Sequence, residues 1–192
     1  PIYKQLKINA KTIVWVWEIL ESETVLEQHV SLTSDCISKL QYLRASDHRK
    51  AFLAVRCLLQ AAGLPLTDLY YNQNGKPLLK SGAHISISHA KQYAGIALST
   101  SEWLDIEEHR PKIKRVVNKF VNPNDEVPSE SLAELTTLWC AKEAVYKALS
   151  VPGISFRKDI AVSAHADGSG RLVAEIKFLT VIPYIGHIIV VC

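Results

Sequence analysis

Apolar residues recur along this chain in two rhythms, and the changes of rhythm mark its elements. Residues 12–19, TIVWVWEI, are β-branched and aromatic and predict a strand. In the next clear segment, Phe52, Val55, Leu59 and Ala62 fall at helical spacing. That spacing predicts a helix from Asp47 to Ala62, capped by Ser46 and ended by Gly63 and Pro65. NQNGKP, residues 72–77, reads as a turn. HISIS (84–88) and YAGIAL (93–98) read as neighbouring strands, and WLDIE (103–107) as another. Residues 131–149 give the strongest helical signal, with Leu132, Leu135, Trp139 and Val145 spaced for one buried stripe. From about residue 159 the chain returns to strands, in IAVSA, LVAEIKFL and HIIVVC. Strands plus one main helix in each half predict a mixed α and β chain. The expected parts are an N-terminal half, 1–100, and a C-terminal half, 101–192. There is no sequence repeat, low-complexity segment or long linker.

Composition narrows the classes. With 192 residues, 48% hydrophobic and 21% charged, the chain has ordinary globular content. A net charge of +3 is too small to argue for nucleic-acid binding. No apolar run reaches membrane-spanning length, and there is no secretory h-region, so no membrane partner is expected. Cys36, Cys57, Cys140 and Cys192 make no CxxC pair; they read as free thiols in a reducing, cytoplasmic setting. The chain contains no methionine, and Pro1 reads as the residue left after removal of an initiator.

Two groups of carboxylates change the picture further. Asp105 and Glu107 are two apart in the strand pattern, so they share a face and repel. A hard divalent cation would compensate them, and Mg²⁺ favours one or two carboxylates plus substrate phosphates. A solvated edge-strand face is the other reading. On the strong helix, LWCAKEAVYKAL carries Lys142, Glu143 and Lys147. Glu143 and Lys147 are four apart, which alone fits an ordinary helical ion pair. With Trp139 one turn before it, Glu143 would instead sit at the edge of the core. It could supply a third carboxylate to the same ion, with Lys142 and Lys147 holding phosphates.

In this order the residues resemble the 4′-phosphopantetheinyl transferase superfamily. Asp105-x-Glu107 is followed by Trp139-x-x-Lys142-Glu143-Ala144-x-x-Lys147. A Gly75-Lys76-Pro77 turn and a Ser88-His89 pair precede them. Each motif is weak alone; four in sequence are specific. Length and organisation resemble the longer, single-chain branch. That resemblance implies an α+β fold of two similar halves related by a pseudo-twofold, acting as a monomer with its site in the cleft between them. It also implies Mg²⁺-dependent transfer of 4′-phosphopantetheine from coenzyme A to a serine of an apo acyl or peptidyl carrier protein, releasing adenosine 3′,5′-bisphosphate.

By the same resemblance Asp105, Glu107 and Glu143 hold the metal, Lys147 binds a phosphate oxygen, and Glu143 is also a candidate base. Lys76, Ser88 and His89 would contact coenzyme A, His89 at its 3′-phosphate. Arg44, Arg49, Lys50 and Arg56 lie in or before the first long helix, and Arg49 and Lys50 are the better candidates for the nucleotide. A basic run, Arg110, Lys112, Lys114, Arg115 and Lys119, could steer an acidic carrier or simply be solvated. One departure stands out: the family usually has glycine where this chain has Trp103. A non-catalytic relative that binds coenzyme A or a carrier, and an unrelated Mg²⁺-dependent phosphohydrolase, are the alternatives.

Overall fold

A computed structural model describes residues 1–99, 103–149, 153–164, 172–176 and 188–191. The chain divides into two compact units, Pro1–Thr100 and Ser101–Cys192. Each is α+β.

The first unit is built on a four-stranded antiparallel sheet in the order β1-β2-β6-β5. Its strands are β1 (Ile2–Asn9), β2 (Thr12–Glu18), β5 (His84–His89) and β6 (Tyr93–Ser99). A two-stranded ribbon, β3 (Leu69–Tyr71) with β4 (Pro77–Leu79), lies between β2 and β5 in sequence. The helices are α1 (Glu23–Gln28), α2 (Ser34–Tyr42) and α3 (Ser46–Ala61). Ser22 and Thr33 cap the first two through their hydroxyls, satisfying donors that the helix itself leaves unpaired.

Leu53, Leu58 and Leu59 of α3 form one core with Trp15 and Trp17 of β2 and Ile96 of β6. Val14 and Val16, on the other face of β2, are equally buried, so this strand is covered on both sides. Ser46 does not cap α3 as the sequence suggests. It is the first helical residue, and its hydroxyl donates to Glu23 Oε1 at 2.6 Å instead. Gly63, at φ +74°, ends the helix in a backbone conformation that side-chain-bearing residues avoid.

The second unit centres on α5 (Leu132–Leu149). A capping box starts it: Ser131 Oγ accepts from Glu134 N, and Glu134 Oε2 accepts from Ser131 N. Strand β7 (Trp103–Ile106) pairs in parallel with β10 (Ile188–Val191). Strand β8 (Ile160–Ala164) pairs antiparallel with β9 (Leu172–Ile176). Between β7 and α5 run a 3₁₀ turn, Pro111–Val116, and α4 (Val117–Phe120); α6 (Phe156–Asp159) precedes β8.

The buried side of α5 is wider than the expected stripe. Leu135, Leu138, Ala141 and Val145 pack with Phe120, Ile160 and Val162, while Trp139 is only partly covered. The basic run divides by periodicity. Ile113, Val116, Val117 and Phe120 turn into this core, leaving Lys112, Lys114, Arg115 and Lys119 exposed. No helix among the described residues is long and apolar enough to cross a membrane.

Candidate active site

The register of α5 against β7 builds the site. Trp139, Glu143 and Lys147 follow one another at four-residue intervals, so they line one face of the helix. That face meets the end of β7. At one end Lys147 Nζ donates to Asp105 Oδ1. At the other, the Trp139 indole N–H bonds to the Glu107 carboxylate. Glu143 lies between Trp139 and Lys147 on that face of the helix.

Its electrostatics follow. Asp105 is 2% exposed, and Lys147 supplies a counter-charge. Glu107 is held above the ordinary carboxylate range, first by burial and then by the charge of Asp105; Trp139, Arg110 and Lys147 pull the other way. Glu143 is raised chiefly by burial, with Lys147 opposing and the charges of Asp105 and Glu107 adding to the rise. The charge of Asp105 bears on both glutamates, and carboxylate oxygens are hard donors of the kind Mg²⁺ takes.

Among the described residues no three histidine, cysteine, aspartate or glutamate side chains form a group that could hold a metal ion.

Lys142 stands elsewhere than expected. The sequence pattern puts it with the phosphate-binding cations beside Glu143, but its side chain is fully buried. Its ammonium donates to Asp125 Oδ2 (2.7 Å) and to the backbone carbonyls of Phe120 (2.8 Å), Ile160 (2.9 Å) and Phe156 (3.3 Å). Burial lowers its pKa, and Asp125 offsets part of that. A group so enclosed has no face left for substrate. Asp125 went unnoticed in the sequence because it lies in an irregular loop, NPNDEVP, with no periodicity to mark it.

The remaining expected residues lie in the first unit. Asn72 Oδ1 accepts from Asn74 N and Lys76 N, which folds the turn and sets the Lys76 backbone, with Gly75 at φ +77°. Lys76 is half-buried, and burial lowers its pKa. Ser88 and His89 are consecutive in β5 and so point to opposite faces: Ser88 is buried and His89 exposed. His48 of α3 lies beside His89, with ring centroids 6.4 Å apart; nothing in the sequence marks that pairing.

Arg49 is committed to structure. Its guanidinium donates to Glu23 Oε1 and Oε2 (3.0 and 2.7 Å) and to the carbonyls of Leu43 and Arg44 (both 3.0 Å), so the donors expected for the nucleotide are already engaged. Lys50 is half-buried on the same helix. Trp103 occupies an ordinary position of the parallel ladder opposite Ile188, a backbone that needs no glycine; its side chain lies outside the described residues.

Comparison with known proteins gives the following. The pattern of the 4′-phosphopantetheinyl transferase superfamily matches residues 104–183. The chain is 31% identical over 111 residues to the 4′-phosphopantetheinyl transferase AcpT of Salmonella typhimurium (strain LT2) and 30% identical to that of Salmonella typhi. Each match covers 52% of this chain and 58% of the relative, so the chain spans little more than half the length of those proteins. A holo-(acyl-carrier-protein) synthase from Bacillus anthracis, solved in complex with coenzyme A, overlays 47% of this chain and 96% of its own at 22% identity, with a TM-score of 0.35.

Proposed function

We propose, from the premise that residues 104–183 belong to the 4′-phosphopantetheinyl transferase superfamily, that the chain transfers 4′-phosphopantetheine from coenzyme A to a serine hydroxyl of an apo carrier protein. The observation that carries the reading is the single face of α5 on which Trp139, Glu143 and Lys147 address Glu107 and Asp105. In this reading the serine oxygen attacks the phosphorus attached to pantetheine. The phosphoanhydride bond breaks, and adenosine 3′,5′-bisphosphate leaves. Positioning and charge neutralisation dominate such a transfer.

Asp105, Glu107 and Glu143 are the residues that would hold Mg²⁺. When bound, the ion supplies charge neutralisation at the pyrophosphate. Glu143 is also the candidate for accepting the serine proton, directly or through a water. Lys147, partly exposed beside Asp105, is the cation within reach of a phosphate oxygen once substrate arrives. In the first unit, His89 is the accessible member of the Ser-His pair, and it and Lys76 are assigned to the nucleotide end of coenzyme A. The exposed Lys112, Lys114, Arg115 and Lys119 would favour an acidic carrier.

The test is incubation with coenzyme A, Mg²⁺ and an apo carrier, followed by mass spectrometry of the carrier. A gain of one phosphopantetheine group supports the reading. Binding of coenzyme A without transfer points to a non-catalytic relative. Hydrolysis of phosphate esters without transfer points to a phosphohydrolase.

A further inference from the structure

The ammonium of Lys142 sits among three backbone carbonyl oxygens and one carboxylate, at 2.7 to 3.3 Å. Those acceptors come from four separate segments: the end of α4, the loop at Asp125, the start of α6 and the start of β8. Asp125 is itself held, because Oδ2 accepts from Asn122 N at 2.7 Å and Oδ1 from Val162 N at 2.9 Å. Burying such a pair is a poor way to gain stability, since an apolar pair of similar volume often does as well. What the contacts fix is direction.

Lys142 and Glu143 are consecutive, so their side chains leave α5 about 100° apart. An anchored Lys142 therefore sets the rotation of the helix, and with it the face bearing Trp139, Glu143 and Lys147. A rotation of about 10° at a helix outer radius of about 6 Å moves a side-chain atom by about 1 Å. A misplacement of that size costs on the order of 100-fold in rate.

We infer that Lys142 is a positioning residue: its ammonium, caged by Phe120, Asp125, Phe156 and Ile160, holds α5 at the rotation that presents Glu143 and Lys147 to Asp105 and Glu107. This rests on the functional reading above for what those residues then do.

The test uses Lys142→Met, which keeps length and apolar packing, together with Lys142→Ala and Asp125→Asn. Transfer is measured per folded molecule, with kcat and KM for coenzyme A determined separately. Lys142→Met should lose about 100-fold in kcat, with KM for coenzyme A within about threefold of wild type. Propylammonium, which replaces the missing side-chain atoms, should raise both Tm and kcat of Lys142→Ala with saturation; tetramethylammonium should not.

A raised KM with kcat retained would make Lys142 a phosphate contact and overturn the assignment. So would an unchanged kcat per folded molecule, or failure of all three variants to fold, each of which makes the residue merely structural. Wild type that transfers nothing defeats the functional reading and this assignment with it. That case is distinguishable because rescue of the Tm of Lys142→Ala still reports the cage.

Discussion

Replacing Lys147 by Met should destabilise the chain by an amount its surroundings set. Its ammonium bonds to Asp105, whose side chain is 4% exposed while that of Lys147 is 33% exposed. The pair lies between two known limits. Exposed ion pairs are worth about 0–1 kcal/mol, whereas breaking a fully buried one costs about 3–5 kcal/mol because a charge is left uncompensated. A buried acid with a partly solvated base falls between them, at about 2 kcal/mol for Lys147→Met. That is a factor of about 30 in the unfolding equilibrium. Asp105→Asn removes the buried charge instead, so it should cost less, and the double variant should recover most of the loss. Urea unfolding at low salt, followed by circular dichroism for wild type, both single variants and the double, gives the coupling energy directly. A coupling of about 1–2 kcal/mol is expected. A value below about 0.3 kcal/mol, within the scatter of independent sites, would refute the claim that Lys147 compensates Asp105.

Stability should also depend on pH with a definite sign. Burial raises the pKa of Glu107 and Glu143 above the ordinary glutamate value of 4.5, so the folded chain binds more protons than the unfolded one. Their contribution is complete below pH 4.5 and is lost as pH rises through the raised values; Glu143→Gln should therefore be more stable than wild type at neutral pH, with a flatter profile above 4.5. An unchanged profile in thermal melts would count against that placement of Glu143. His89→Ala should raise KM for coenzyme A about tenfold while leaving kcat nearly unchanged, the pattern of a lost binding contact; steady-state kinetics with coenzyme A and with its analogue lacking the 3′-phosphate check it, and equal KM values for wild type and variant would remove His89 from the nucleotide. Arg49→Ala should lower stability more than coenzyme A affinity, because Glu23 is left without its partner; calorimetric binding beside a thermal melt separates the two.

Much of this architecture is written in local pattern, and the differences are long-range. The β-branched run at 12–18 and the apolar spacing of α3 and α5 show in the sequence because strand and helix periods impose themselves on neighbouring residues. The four-residue series Trp139, Glu143, Lys147 follows from the helical period, whereas β7 ends at Ile106, one residue short of Glu107. What period cannot display is which partner a side chain meets across the fold. Lys142 reads as a phosphate-binding neighbour of Glu143 until Asp125, 17 residues away in an irregular loop, takes its charge. Ser46 has the chemistry of a cap, but Glu23, 23 residues earlier, claims its hydroxyl. Arg49 reads as an available cation until the same glutamate and two helix-end carbonyls engage it. Each of these differences comes from a polar side chain finding a partner distant in sequence, and for the buried Lys142 an unmade hydrogen bond would cost more than the same group loses in water.

The central claim is that the face of α5 opposite β7 carries phosphopantetheine transfer. Its most direct test is the mass of an apo carrier protein after incubation with coenzyme A and Mg²⁺, run side by side with wild type and Glu143→Gln. Glutamine keeps the shape of Glu143 and removes its charge and its capacity to accept a proton. Wild type should add one phosphopantetheine group to each carrier, and Glu143→Gln, folded and still binding coenzyme A, should add none. Full transfer by Glu143→Gln, or none by wild type to carriers that a known transferase does modify, would contradict the account.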